Sequence, residues 1–300
     1  MDDQNGSTPK RFMWDVASQM TETLHWPTRT NGQPKTILFF IPGNPGIVTY
    51  YKEFLEEIYQ KSARSLEIYG VSHLGHSIGA HALTSQNPDK CYSLQEQIDH
   101  KINCLDLLKE MNPSDTQFIL MGHSAGAYIS TEVLKERQNH GITRLIALFP
   151  TLREIALTPN GIKISRLVSV VPTFLLSGAA HVVSLIPNYI RESLLGIVTG
   201  QSGDSLNITA HELLHGIVIK NVLHMAAYEM EMIKELDYDF YNAHVNKFII
   251  YYSKNDGWAP LDHYNHIKEK FPNEPEHTTY MAEQVSKWIE KDCISAAVQE

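Results

Sequence analysis

Residues 117–137 read QFILMGHSAGAYISTEVLKER, an apolar run, then Gly-His-Ser-Ala-Gly, then a helical pattern, with no loop between them. A strand that turns into a helix within one or two residues must pack that helix back against its own sheet. Gly122 and Gly126 supply the missing side chains that let strand and helix close, and Ala125 and Ala127 suit the same crowding. Such a turn presents Ser124 in a strained conformation at the top of the sheet, over a helix N-terminus that favours negative charge. The same G-x-S-x-G pattern occurs at residues 75–79. There Ser-His-Leu separates the preceding strand from the pentapeptide, and residues 80–93 carry no helical stripe, so Ser77 is read as a loop residue.

The rest of the chain alternates in the same way. Residues 35–43 (KTILFFIPG), SLEIYGVSH, TQFILMG, TRLIALFP and VNKFIIYYS read as strands, and RFMWDVASQM as a first edge strand. YYKEFLEEIYQKSA and YSLQEQIDHKINCLDLLKEM read as amphipathic helices, the second opened by a Ser93–Glu96 capping box. LDHYNHIKEKF and TTYMAEQVSKWIEKD read as closing helices. Alternation of this kind predicts an α/β fold with a mostly parallel sheet and flanking helices. It divides the chain into an N-terminal part of the core (1–150), an insertion (151–244) and a C-terminal part of the core (245–300). Functional residues are then expected past the carboxyl ends of strands.

Three places meet that condition. The loop after residues 35–41 reads PGNPGIVTYY; its glycines permit close backbone approach, and because Pro45 has no N–H, Asn44 is the donor that could join Ala125 in holding an oxyanion. A plain turn is the alternative there. Asp256, in NDGWAP after a late strand, is placed to orient a histidine; a turn aspartate is the alternative. A net charge of −9 over 300 residues argues against a nucleic-acid partner. Three cysteines without metal spacing indicate a reducing compartment, the polar N-terminus shows no secretory signal, and Asn5 and Asn207 are idle sequons.

Two features of the insertion compete for attention. His211, Glu212 and His215 spell H-E-x-x-H, with Glu235 beyond as a third possible zinc ligand, which would make a zinc peptidase a minor alternative. Leu213 and Leu214 fit an amphipathic core helix equally well, and no metal is assigned. Between Leu167 and Ile190 there is no Asp, Glu, Lys or Arg, while Pro172, Gly178 and Pro187 argue against one straight span. This stretch is read as an apolar cap over the site, one face of which could dock on a lipid surface.

Taken together, IPGNPG followed by YY, SHLGH, YSLQEQIDHK, GHSAGAY, LFPT, TPNG and NDGWAP resemble the lipid droplet-associated hydrolases, a branch of the α/β-hydrolase superfamily. The resemblance covers residues 41–260 or so. It implies an α/β-hydrolase fold, Ser124 as nucleophile, Asp256 as acid, no cofactor, sterol or acyl esters as substrates, and residence on lipid droplets and the cytosolic face of the endoplasmic reticulum. The pattern breaks after Pro272: the strand and histidine loop of the family are not found, and His277 is the one histidine in the right region. His263 and His266, on the preceding helix, are expected at the surface. A missing last strand and base would make the chain a catalytically weak droplet-coat protein, the second reading.

Overall fold

The computed structural model describes residues 8–29, 35–79 and 89–271. Its framework is a seven-stranded sheet in the order β1-β2-β4-β3-β5-β6-β7. The strands are β1 (Lys10–Val16), β2 (Gln19–Trp26), β3 (Thr36–Ile41), β4 (Glu67–Val71), β5 (Gln117–His123), β6 (Ile142–Leu148) and β7 (Phe248–Tyr251). β1, β2 and β4 pair antiparallel; β4, β3, β5, β6 and β7 pair parallel. The expected strands are present, and β2 is an addition. It forms a hairpin with β1 across Ala17 and Ser18, both at positive φ (51° and 63°). A two-residue hairpin turn of that geometry usually announces itself through Asn or Gly; Ala-Ser does not.

The continuous apolar run of β3 is explained by burial on both faces. Ile37, Phe39 and Ile41 pack with α2 (Leu94–Glu110) and α3 (Ala125–Glu136). Leu38 and Phe40, offset by one residue, pack with Phe54, Leu55 and Tyr59 of α1 (Lys52–Lys61) on the opposite face. Each such side chain contributes about 1.5–3 kcal/mol when fully buried. The capping box at Ser93 and Glu96 forms as read: the Ser93 hydroxyl accepts from the Glu96 N–H while the Glu96 carboxylate accepts from the Ser93 N–H.

Between β6 and β7 the chain runs through α4 (Pro159–Val170), α5 (Thr173–Ser184), α6 (Asn188–Thr199), α7 (Gly203–Ile208), α8 (Gly216–Met232) and α9 (Tyr238–Ala243). α8 packs on α5, where a Cβ at Gly216 would fall 3.0 Å from the Ser177 carbonyl. The charge-free stretch is no single helix: α4 and α5 meet at 93° across Val171 and Pro172, and no single described helix is long and apolar enough to cross a membrane. After β7 comes α10 (Leu261–Lys270). His277, the closing helix and the stretch after Pro272 in which the family's strand and histidine loop are not found lie outside the described residues.

Candidate active site

The strand registers set the site. Ile41 pairs with Gly122, His123 with Leu148, and Leu148 with Tyr251, so β3, β5, β6 and β7 end along one edge. Asn44, Ser124 and Asp256 follow from that edge, each within five residues of its strand's end.

Ser124 is the turn itself. It stands at φ 51°, ψ −120°, between the last residue of β5 and the first of α3. That conformation is rare for a residue with a side chain and is held by its surroundings. The Ser124 N–H donates to the Leu148 carbonyl at 2.9 Å, and its carbonyl accepts from Ala127 at 3.0 Å. The flanking glycines are obligatory: a Cβ at Gly122 would lie 2.2 Å from the Gly126 carbonyl oxygen, and one at Gly126 2.2 Å from the Ile41 carbonyl oxygen. Ser77 has none of this. It lies buried after β4, without a positive φ, and hydrogen-bonds Glu22.

The β3 loop crosses directly over the elbow. A Cβ at Gly43 would come within 3.1 Å of the Ser124 Cβ and 2.9 Å of the His123 ring. Ala125 begins α3, so its N–H has no helical carbonyl to meet. The loop is pinned from several sides. Gly43 donates its N–H to the Tyr51 hydroxyl at 3.3 Å, which is 2.8 Å from His123 Nδ1. Burial holds the His123 pKa near 4, so the ring is neutral, and its tautomer sets which of the two groups donates in that second bond. Below the loop, Gly46 donates to His76 Nδ1 at 2.7 Å and accepts from His73 at 2.8 Å, and Val48 donates to the Ser72 hydroxyl at 3.0 Å. Burial and the neighbouring Lys101 keep His73 well below the usual histidine range. These are the SHLGH residues.

Asn44 joins Pro45 through a cis peptide, and its side chain reaches up into the insertion. Its Nδ2 donates to the Val222 carbonyl and to Glu229 Oε1, both at 2.9 Å and both on α8. Glu229 is 5% exposed, and burial lifts its carboxyl to about 8. Sequence reasoning missed it, because nothing in HMAAYEMEM tells Glu229 from Glu231 or says where either points.

Asp256 caps its own loop, its Oδ1 accepting from Trp258 at 2.7 Å and Ala259 at 3.0 Å. Its neighbour Gly257 accepts from the Asn160 N–H at 3.0 Å. No hydrogen bond joins Asp256 to Ser124 among the described residues.

The H-E-x-x-H residues do not converge. His211 bonds Glu192 at 2.6 Å and Arg191 at 3.0 Å; Glu212 takes Arg11 at 3.1 Å and Thr49 at 2.9 Å; His215 donates to the His211 carbonyl. They lie on a π-helical turn (Thr209–Leu213) and its end, not on an α-helix. Among the described residues no group of three or more His, Cys, Asp or Glu is placed to hold a metal. His263 is a correction: instead of lying at the surface it is buried, because α10 turns that face inward. His266 bonds the Tyr238 hydroxyl at 2.7 Å.

A family model described as lipid-droplet associated hydrolase matches residues 34–288. The lipid droplet-associated hydrolase of Pongo abelii is 30% identical over 257 residues, 80% of this chain and 76% of that one. Those of Gallus gallus (28% over 249 residues; 80% and 76%) and Dictyostelium discoideum (28% over 261 residues; 84% and 81%) are similar. Among solved structures, an N-formylmaleamic acid deformylase from Pseudomonas putida superposes with a TM-score of 0.57 at 14% identity, covering 88% of this chain and 89% of that one. An alpha/beta hydrolase from Nostoc gives 0.54 at 11% identity, covering 94% and 97%. At those identities the likeness is one of fold.

Proposed function

The chain belongs to the lipid droplet-associated hydrolase family, a family with the α/β-hydrolase fold, and from that premise we propose that it cleaves esters of apolar lipids by acyl transfer through Ser124. The observation that carries this reading is the Ser124 elbow, at φ 51° with the β3 loop laid across it. In the reaction Ser124 attacks the ester carbonyl, and the Asn44 and Ala125 N–H groups receive the charge that develops on its oxygen. A histidine takes the serine proton and returns it to the leaving alcohol. His277 is the candidate that the sequence offers, and Asp256 steadies the imidazolium. Water then repeats the sequence on the acyl-enzyme.

The substrate class is argued from the cap. Val170, Phe174, Val182, Leu185, Tyr189 and Ile197 are exposed on α4–α6 and the turn between α5 and α6. An apolar face of that extent fits the surface of a lipid droplet or of the endoplasmic reticulum, where sterol and acyl esters are met. The working division of the chain is a cap, 151–244, over a core formed by 1–150 and 245–300. The same exposed face would serve a protein that acts by association alone, which makes a droplet-coat role the second reading.

One experiment separates the two. The purified protein and its Ser124→Ala variant are treated with a fluorophosphonate probe and assayed on a short p-nitrophenyl ester. Labelling and turnover in the parent but not in the variant support the hydrolase. A parent that neither labels nor turns over ester overturns it and leaves the coat role.

A further inference from the structure

Asn44 sits on the loop that crosses Ser124, yet its side chain belongs to the cap. The amide Nδ2 spends both hydrogens on one helix, α8, through the Val222 carbonyl and Glu229 Oε1. Val222 and Glu229 are two turns apart on the same face of that helix. A single side chain of the core is therefore gripped at two points of one cap helix, two turns apart. Gly43, one residue earlier, is where a Cβ would come within 3.1 Å of the Ser124 Cβ.

We propose that Glu229 is a positioning residue of the active site, through which cap helix α8 sets the oxyanion-holding backbone at Asn44. The inference rests on the hydrolase reading of Ser124. A main-chain N–H stabilises a developing charge only if its direction is fixed beforehand. The backbone at Asn44 is fixed below by the bonds of Gly46 and Val48 and from one side by Tyr51. Glu229 closes the remaining side, from an element separated by a long stretch of sequence.

A carboxyl is a telling choice for that task. A neutral carboxyl accepts from Asn44 and adds no charge. Its ionised form would put a negative charge beside the place where another must develop. Burial favours the neutral form, opposed only by the Asn44 amide, and no other charged group among the described residues shifts it. As the pH rises through about 8 the carboxylate keeps its hold on Asn44 but sets a negative charge beside the developing oxyanion, so turnover declines while the positioning stays. A lipid head or acyl chain that displaces α8 would disturb the same bond, so correct seating of the cap is a condition of turnover.

The test compares the parent with Glu229→Gln, Glu229→Ala, Asn44→Ala and the double Ala variant. Ester hydrolysis is measured across the pH range, and hydrogen exchange is followed at the amides of residues 43–48. Glu229→Gln keeps the acceptor and loses the charge: it should retain most of the turnover that Glu229→Ala loses, without the parent's decline at alkaline pH. Glu229→Ala should lower kcat about tenfold with little change in KM, and should speed exchange in residues 43–48. Because Glu229 acts through its bond to Asn44, while Asn44 also bonds Val222, the double variant should be no worse than Asn44→Ala alone. Additive losses, unchanged exchange in Glu229→Ala, or an alkaline decline that persists in Glu229→Gln overturns the inference. If the parent hydrolyses nothing, the hydrolase reading falls separately, and the exchange data still judge the clamp.

Discussion

Asn160, in the first turn of cap helix α4, donates its N–H to the carbonyl of Gly257 at 3.0 Å, next to Asp256. Its side chain fills the space where a Cβ on residue 257 would go, 2.8 Å away. TPNG and NDGWAP, nearly a hundred residues apart, are thus the two halves of one contact.

Gly257→Ala tests that contact. The new methyl meets the Asn160 amide, and the Asp256 loop has to shift. Overpacking of this kind costs about 1–3 kcal/mol. Thermal melting should show that loss, and ester turnover should fall further than the stability change accounts for. Full activity in a destabilised Gly257→Ala would show that the loop's position does not matter to turnover.

The elbow glycines should behave differently from glycines in open space. Gly126→Ala drives a methyl into the main-chain oxygens of Ile41 and Pro42, at 2.2 and 2.4 Å. Backbone cannot move aside as a side chain can, so the loss should reach about 3 kcal/mol or more. Gly178→Ala, in the middle of α5 with nothing within 4 Å of its new methyl, should gain about 0.5–1 kcal/mol. Denaturant melts of the two variants measure the contrast.

Tyr51→Phe removes the hydroxyl that joins Gly43 to His123. The fold should lose about 1 kcal/mol, the ordinary worth of such a bond. The β3 loop should also lose its register over Ser124, lowering kcat about tenfold at nearly constant KM. An unchanged kcat would mean that the bonds of Gly46 and Val48 suffice to hold the loop.

Glu67 and Glu229 should tilt stability in opposite directions with pH. Glu67 loses solvation by burial, but hydrogen bonds from His25 and Lys35 outweigh this and hold it near 2. Its stabilising effect is therefore complete above its unfolded value of about 4.3 and is lost as pH falls towards 2. Glu229 is raised by burial to about 8. It favours the folded state fully below about 4.3, and that contribution is lost as pH rises to 8. Urea melts across this range should show an acid-side loss that disappears in Glu67→Gln and an alkaline-side loss that disappears in Glu229→Gln.

Droplet docking is tested by charge. Phe174 and Ile197 are 68% and 82% exposed, on separate helices of the cap. The double substitution Phe174→Glu and Ile197→Glu should cut several-fold the fraction that floats with phospholipid-coated triacylglycerol droplets. Unchanged flotation would assign docking elsewhere.

What the sequence made legible was local. The apolar run of β3, the Ser93–Glu96 box and the glycines around Ser124 each state their structure within a dozen residues. What it hid was tertiary. β2 went unread because Ala17 and Ser18 adopt a turn their side chains do not advertise. His263 and Glu229 look like solvated helix residues until the neighbouring elements are in place. The H-E-x-x-H word, to which no metal is assigned, has a spacing that implies one face of an α-helix, whereas the chain makes a π-helical turn there.

The insertion is stitched to the core at separate seams. Asn160 holds the loop after β7, Val222 and Glu229 hold the loop after β3, and Glu212 holds Arg11 of β1 and Thr49. A flap hung from one hinge swings; one sewn down at three separate places does not. It behaves as a strut, and heat or denaturant can peel it away only by opening every seam. Insertion and sheet should therefore melt as one body, and on the hydrolase reading a bulky substrate should reach Ser124 without the whole insertion lifting.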